Sequence, residues 1–180
     1  MARLSPLMIA PPVLFAALAG LFLWGMNREN PDQLPSMLEG HAAGPVEVSA
    51  LGDQPLLGSA DLADGRVKIV NFWASWCAPC RAEHPNLLKL SGEGVQVMGV
   101  NYKDKPEDAL AFLGELGSPY AKVGADLSGR MGLDWGIYGV PESFVIDGSG
   151  KVILRFPGPL TQEVIETTIR PALKKAAAAG

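Results

Sequence analysis

Two cysteines separated by two residues constrain this chain more than any other feature of its sequence. Cys77 and Cys80 are the only cysteines among its 180 residues. Residues 67–73, which precede them, form an apolar run rich in β-branched and aromatic side chains, and residues 81–90 have a helix-like composition. A Cys-x-x-Cys between a strand and a helix is typical of a redox-active dithiol. The rest of the chain is therefore expected to position this pair, orient it towards a partner or locate it in the cell.

The position of Cys77 predicts different tasks for the two thiols. The predicted helix begins at Cys77, and the unpaired N–H groups and macrodipole of a helix start stabilise a thiolate. Thiols in such motifs have pKa values of roughly 3.5–7.5, against about 8.5 for a free cysteine. We expect Cys77 to be the exposed nucleophile and Cys80, one turn later and less exposed, to resolve the mixed disulfide.

Two structural alternatives to a redox pair remain open. The cysteines could form a purely structural disulfide, or they could supply half of a zinc site. Zinc needs about four ligands, and only His41 and His84 are left to complete such a site. Because His41 lies in a polar segment that we interpret as a tether, the redox pair is favoured.

The N-terminal segment predicts a membrane anchor. Hydrophobic residues make up 48% of the chain and charged residues 19%, and residues 7–26 contain no charge at all. About 20 helical residues span about 30 Å, the thickness of a bilayer core. Arg3 favours a cytoplasmic N-terminus, and Trp24 suits the far interface. We predict one transmembrane helix over residues 1–26; a cleaved signal peptide is the alternative, because Ala17–Ala19 resembles a cleavage site.

The remaining residues divide into a linker and one domain. Residues 27–44 are polar and rich in proline and glycine, which predicts a tether. Residues 45–180 are long enough for one domain with a sizeable core. The formal net charge is −4, and no Lys/Arg cluster occurs. Nucleic acid is therefore not an expected partner.

Hydrophobic periodicity and turn residues predict alternating strands and helices in this domain. We expect Pro171 to kink the last helix or end it early. The predicted elements, in order, are a strand at 46–51, a short helix at 59–62, a buried central strand at 67–73, a helix from Cys77 to Gly92, a strand at 95–102, a helix at 106–117, a short strand at 120–123, a short helix at 128–133, hairpin strands at 143–147 and 151–156, and a helix capped by Thr161. Such an order predicts an α/β fold with a mixed central sheet flanked by helices.

Two runs carry a resemblance to a known family. The segments Phe72–Glu83 and Gly136–Asp147 resemble the active-site run and second fingerprint of the membrane-anchored thiol:disulfide interchange proteins of cytochrome c maturation, the DsbE/CcmG family. Asn101–Asp104 is also similar to that family. The resemblance covers residues 46–175 and the anchor-and-tether layout. It implies a thioredoxin-like fold with an inserted helix–strand, on the periplasmic side of the inner membrane.

The resemblance also implies which side chains surround the cysteines. It implies a cis Val140–Pro141 bond that faces the disulfide, where the Val140 backbone can pair with an extended substrate; an ordinary turn proline is the alternative. Trp76 could cover the disulfide or be a core aromatic, and Pro79 helps to set the redox poise. The expected site residues are catalytic Cys77 and Cys80, tuning residues Trp76, Pro79, Glu83 and Glu142, and substrate-groove residues Tyr138, Val140 and Pro141.

One position departs from thioredoxin itself. Thioredoxins carry a buried Asp on the strand before the cysteines, whereas this chain has Asn71, which cannot accept a proton. If an acid assists the chemistry, Glu83 and Glu142 are the candidates, and the alternative for both is a solvated surface carboxylate. His84 is interpreted as a surface residue.

The function that the resemblance implies is that of a periplasmic disulfide reductant. Its expected partners are apocytochrome c or an accessory thiol protein of haem attachment. A membrane electron donor of the DsbD/CcdA type would re-reduce the pair, and no metal or organic cofactor is expected. The alternatives are a general disulfide oxidase or thiol peroxidase of the same fold, or a non-catalytic module that binds proteins through the groove at Pro141.

Overall fold

The computed structural model describes residues 6–26 and 37–179, with the side chains of the first range described from Ala10 onward. The chain divides into two units after Pro35. The first unit contains helix α1 (Pro6–Met26). Within the described residues, no helix meets the length and apolarity that a membrane crossing requires. The predicted transmembrane anchor therefore remains a prediction.

The second unit is built on a five-stranded mixed sheet with the order β3-β2-β1-β4-β5. Its strands are β1 (Lys68–Trp73), β2 (Gln96–Tyr102), β3 (Lys122–Asp126), β4 (Glu142–Ile146) and β5 (Val152–Pro157). Strands β1, β2 and β3 run parallel, whereas β4 is antiparallel to both β1 and β5. The predicted α/β fold with a mixed central sheet is confirmed.

Strand β1 is central and is buried on both faces, as its continuous apolar run predicts. All six of its residues are buried. Ile69 and Trp73 face the core that contains both cysteines. Val70 and Phe72 face a second core on the other side of the sheet. The strand thus separates two layers, and the cysteines belong to only one of them.

Helices cover both faces of this sheet. A 3₁₀ helix (Ser59–Ala63) precedes β1, and α2 (Ala78–Gly92), α3 (Pro106–Leu116) and α4 (Arg130–Asp134) follow along the chain. The chain ends in an α-helical turn, α5 (Gln162–Val164), a π-helical turn (Ile165–Ile169) and α6 (Arg170–Ala179). Thr161 caps this last helix as predicted, since its hydroxyl accepts the N–H of Val164 at 3.2 Å.

Of the two outcomes predicted at Pro171, a kink or an early helix end, the structure excludes the early end, because α6 continues to Ala179. In a regular α-helix the proline ring clashes with the carbonyl four residues earlier and removes one hydrogen bond. Here the π-helical turn Ile165–Ile169 directly precedes the proline. The helix therefore departs from regular α-helical hydrogen bonding directly before Pro171 and continues beyond it.

The predicted strand at 46–51 is also wrong. Only Ser49 pairs with the sheet, in an isolated antiparallel bridge to Ala125 of β3, with N–O distances of 2.9 and 2.8 Å. Gly52, with φ +55°, then turns the chain away. The apolar residues of this segment contact different cores, Val48 one and Leu51 the other, which produces alternation without a strand.

The predicted tether, 27–44, is only partly described. Residues 27–36 lie outside the described residues. Residues 39–43 belong to the folded unit, because Gly40 N–H donates to Val152 at 2.8 Å and Val152 N–H donates to His41 at 2.9 Å. These residues pair with β5, which otherwise would present unpaired backbone groups at the sheet edge. The folded unit therefore begins earlier than residue 45.

Candidate active site

The two cysteines form a disulfide at the start of α2. Cys77 is the N-cap of α2, and its sulfur accepts the N–H of Cys80 at 3.1 Å. The expected exposure of Cys77 is wrong for this oxidised form, since Cys77 is 4% and Cys80 2% exposed. The Val140 carbonyl oxygen lies 3.5 Å from the Cys77 sulfur. The loop before β4 therefore shields the disulfide from solvent.

Asn71 organises a buried network on the face of the sheet that carries the disulfide. Its amide nitrogen donates to the Glu83 carboxylate at 2.9 Å and to the Ser143 hydroxyl at 3.0 Å. Its amide oxygen accepts the Tyr120 hydroxyl at 2.9 Å. The second Glu83 oxygen accepts the N–H of Leu160 at 2.7 Å. Asn71 thus holds a carboxylate that α2 supplies.

Burial makes Glu83 a titratable group near neutral pH. Its side chain is 1% exposed. Burial raises the pKa of Glu83 from 4.5 to about 7, although the Leu160 N–H and the Asn71 amide partly oppose that rise. Glu83 follows Cys80 by three residues in α2, a spacing that brings two side chains to the same helix face. Glu83 is therefore a buried titratable group one helical turn after Cys80.

Glu142 occupies the opposite face of the sheet. It pairs in register with Phe72, whereas Ser143 pairs with Asn71, so Glu142 and Glu83 are not brought together. Glu142 is 1% exposed and forms an ion pair with Arg155. Its other oxygen accepts the N–H of Tyr138 at 3.1 Å. Neither glutamate is a solvated surface carboxylate, and only Glu83 lies on the disulfide side.

The expected substrate groove adjoins the disulfide. The Val140–Pro141 peptide bond is cis, as the resemblance implies. A groove of about 350 Å³ runs along this bond and is lined by Pro79, Tyr138, Gly139, Val140, Pro141, Glu142, Pro157, Gly158 and Pro159. Its lining is mostly apolar, and the Val140 carbonyl lies beside the sulfur of Cys77. An extended chain in this groove would pass next to the disulfide.

Known proteins with similar sequences identify this site. The redoxin family model matches residues 39–172. The thiol:disulfide interchange protein HelX of Rhodobacter capsulatus is 49% identical, with 94% of this chain and 96% of HelX covered. The thiol:disulfide interchange protein DsbE of Escherichia coli is 39% identical, over 93% of this chain and 94% of DsbE. This chain belongs to the DsbE-type thiol:disulfide interchange proteins.

A solved structure agrees with this membership. A thiol:disulfide interchange protein of the thioredoxin family from Chlorobium tepidum superposes with a TM-score of 0.60 and 28% identity, over 81% of this chain and 98% of that chain. The chain is therefore a thiol:disulfide oxidoreductase with a thioredoxin-like fold, and Cys77 and Cys80 are its exchanging pair. In the described part of the chain, no three His, Cys, Asp or Glu side chains are placed to hold a metal ion.

Trp76 and Pro79, the two expected tuning residues that flank Cys77, have different surroundings. Trp76 is 60% exposed, which excludes a core role, and its indole N–H donates to the Lys103 carbonyl at 3.1 Å. Pro79 lies in the first turn of α2. A missing N–H costs no intrahelical hydrogen bond at that position. Trp76 is thus tied to the loop after β2 and leaves most of its ring accessible.

Asp104 is a site residue that sequence reasoning did not single out. Its carboxylate accepts the backbone N–H of Ser75 at 2.6 Å and the Ser75 hydroxyl at 2.8 Å. It also accepts the Asn101 amide and the Lys105 N–H, each at 2.9 Å. These bonds hold the loop that leads into Cys77. The one available signal was the resemblance of Asn101–Asp104 to the family.

The interpretation of His84 as a surface residue is wrong. His84 is 1% exposed, and its Nε2 lies 2.8 Å from the Gly117 carbonyl oxygen. Its ring packs edge-on against Phe112 of α3, with centroids 5.0 Å apart. Burial lowers the pKa of His84 below its ordinary value. The residue links α2 to α3 as a neutral core side chain.

Proposed function

We propose that this protein is a membrane-anchored periplasmic reductant of cytochrome c maturation. In this proposal the Cys77–Cys80 pair reduces a disulfide in apocytochrome c or in an accessory thiol protein of haem attachment. The observation that carries the proposal is the placement of the pair, with the buried acid Glu83 one helical turn after Cys80 and a groove of about 350 Å³ along the loop that contacts Cys77. The resemblance to the DsbE/CcmG family supplies the substrate class.

The exchange begins with a thiolate on Cys77. This thiolate attacks one sulfur of the substrate disulfide, so that a mixed disulfide forms and the other substrate sulfur leaves as a thiolate, which takes up a proton. Cys80 then loses its proton and attacks the Cys77 sulfur, so that the second substrate sulfur leaves as a thiolate and takes up a proton. Two electrons pass to the substrate, and the Cys77–Cys80 disulfide remains.

Glu83 is the group that would accept the Cys80 proton. A base is most effective when its pKa lies near the working pH, and the pKa of Glu83 is raised to about 7. Cys80 is buried, so bulk water has little access to its proton. The Asn71 amide and the Leu160 N–H keep the carboxylate oriented during this transfer.

The N-terminal helix provides the anchor in this proposal. Residues 7–26 carry no charge, and large apolar side chains of α1 such as Phe15 and Phe22 are 75% and 67% exposed. Exposed apolar surface of this kind suits a lipid environment. With Arg3 on the cytoplasmic side, the catalytic unit would face the periplasm of the inner membrane. A membrane electron donor of the DsbD/CcdA type would then return electrons to the pair, because the periplasm has no glutathione buffer.

Replacing Cys80 by Ala in the full chain tests the proposed substrate. Without Cys80 the mixed disulfide on Cys77 cannot be resolved, so the partner stays bound through sulfur. We expect apocytochrome c or an accessory haem-attachment thiol protein to be captured from cells and identified by mass spectrometry. The matched control is the double variant Cys77→Ser, Cys80→Ala, which cannot form a mixed disulfide. Capture of unrelated proteins alone would remove the cytochrome assignment.

A further inference from the structure

Arg155 of β5 is a nearly buried cation whose side-chain contacts all lead to one loop. It is 8% exposed. Its Nε donates to the Glu142 carboxylate, and its Nη2 donates to the Gly136 carbonyl at 2.6 Å. Its guanidinium carbon also lies 4.1 Å from the centre of the Tyr138 ring. Arg155 therefore contacts the beginning, the middle and the end of residues 136–142.

The sheet register explains how Arg155 reaches this loop. Arg155 pairs with Phe144, and Glu142 lies two residues earlier on β4, so the two charged side chains are diagonal neighbours on one face. The second Glu142 oxygen accepts the Tyr138 N–H at 3.1 Å. The same loop contains Val140, whose carbonyl oxygen lies 3.5 Å from the Cys77 sulfur. The guanidinium is thus connected to the disulfide only indirectly, through Glu142 and the loop that contains Tyr138 and Val140.

The position of β5 does not depend on this guanidinium. The backbone N–H of Arg155 donates to the Glu39 carboxylate at 2.8 Å, and the strand pairs with β4 along its length. The contacts of the side chain instead fix the conformation of residues 136–142. A planar guanidinium can bond a carboxylate and a carbonyl at once while it stacks on a ring, whereas a lysine ammonium cannot reproduce that combination.

We propose that Arg155 is a positioning residue that sets the shape of the substrate groove. It holds the Tyr138 ring and the Val140 carbonyl at the positions that an extended, disulfide-containing peptide needs beside Cys77. This inference rests on the proposed use of the groove by a protein substrate. A small disulfide that reaches Cys77 without filling the groove depends much less on Arg155.

Single-turnover kinetics of Arg155→Lys and Arg155→Gln test this inference. The reduced full-length protein is mixed with increasing amounts of a peptide that contains an oxidised Cys-x-x-Cys, or of a small aromatic disulfide. For the peptide, we expect the half-saturating concentration to rise by about tenfold or more while the limiting rate changes by less than about threefold. The second-order rate constant for the small disulfide should fall several times less than that for the peptide.

The double variant Arg155→Met, Glu142→Leu separates positioning from folding. Removing one partner leaves a buried charge unpaired, but replacing both by apolar residues is often neutral for stability. A folded double variant should still show the raised half-saturating concentration for the peptide. The matched control, Arg170→Gln, removes an arginine that pairs with Glu93 and Glu166 outside the groove, and it should behave as wild type.

Three results would overturn the inference. The first is a folded double variant that saturates with the peptide as wild type does. The second is an equal loss for peptide and small disulfide in the single variants, because that pattern means a general structural role. The third is a wild-type protein that reacts with the small disulfide but never saturates with the peptide. Only this third result would also count against the proposed use of the groove.

Discussion

Glu83 is a carboxylic acid that is almost completely removed from water. Its carboxylate is buried among Asn71, Tyr120 and Leu160 and accepts two hydrogen bonds, and within the described part of the chain no cation pairs with it. Burial penalises the charged form, so the pKa rises. Burial also raises the pKa of the Tyr120 phenol well above its ordinary 10. The Tyr120 hydroxyl therefore stays protonated and donates its hydrogen to the amide oxygen of Asn71.

The raised pKa of Glu83 predicts a stability that falls as pH increases. Because the folded value of about 7 exceeds the unfolded value of 4.5, the contribution is full below about pH 4.5 and is lost as pH rises through 7. The difference corresponds to about 3 kcal/mol in the free energy of unfolding.

Glu83→Gln should remove this part of the pH dependence in denaturant unfolding of the oxidised protein. Glu47→Gln, an exposed control, should keep it. Equal pH profiles for wild type and Glu83→Gln would contradict the assignment.

Sequence reasoning reached the residues that carry a local signal and missed those that depend on distant contacts. Cys77 and Cys80 were recognisable from their spacing, and Asn71 from its place before them. The burial of His84 depends on Phe112, which lies 28 positions later in the chain. Tyr120 was assigned to a strand, yet it precedes β3 and bonds Asn71 across the core. No local pattern encodes such pairings.

At the scale of elements, β3 is kept in place by a close contact with the segment before β1. Gly124 in β3 lies against the Val48 side chain so closely that an added Cβ would overlap it. On the neighbouring residue, Ala125 exchanges two backbone hydrogen bonds with Ser49. The segment around Val48 therefore crosses the outer strand of the sheet, although it forms no strand of its own.

This packing predicts opposite effects for two Gly→Ala substitutions. Gly124→Ala should lower the free energy of unfolding by about 1–3 kcal/mol, because the new methyl group overpacks the contact with Val48. Gly114→Ala should raise it by about 0.5–1 kcal/mol, because Gly114 lies in α3 with nothing within 4 Å of its added Cβ. Urea unfolding of both variants would check this pair. A neutral Gly124→Ala would show that Val48 does not lie where the structure places it.

Element boundaries were predictable where the pattern and the packing agree. The continuous apolar run of β1 and the proline that opens α3 are strong signals, and both elements are found. The alternation at 46–51 failed because its apolar residues contact two different cores. Pro171 does not end the last helix, and a π-helical turn directly precedes it. At 46–51 tertiary packing outweighed a sound local rule, whereas before Pro171 the helix lacks the regular hydrogen bonding that the proline rule assumes.

At the scale of the whole catalytic unit, the central sheet separates two tasks. The face that contains α2 carries the disulfide and the Glu83 network. The other face carries the Glu142–Arg155 pair, which supports the groove. Both faces meet at the loop that brings Val140 to Cys77. The order of strands and helices was predictable from the sequence, but the division of the two glutamates between the faces depends on the β1–β4 register.

Two electrostatic effects act on the cysteine pair in opposite directions. The start of α2 stabilises a Cys77 thiolate, which makes a pair more oxidising. The Glu83 carboxylate acts in the opposite direction on Cys80, because a negative charge on the same helix face disfavours a Cys80 thiolate. No cation among the described contacts of Glu83 cancels this effect. The proposed reductant role requires the Glu83 carboxylate to limit the stabilisation of the reduced form.

The standard reduction potential of the Cys77–Cys80 pair tests the proposed reductant role most directly. It can be measured at pH 7 by equilibrating the full-length protein with dithiol–disulfide buffers and quantifying the two forms. We predict a potential at or below about −180 mV, on the reducing side of the strong periplasmic oxidants. A value near about −120 mV, the range of those oxidants, would contradict the reductant role.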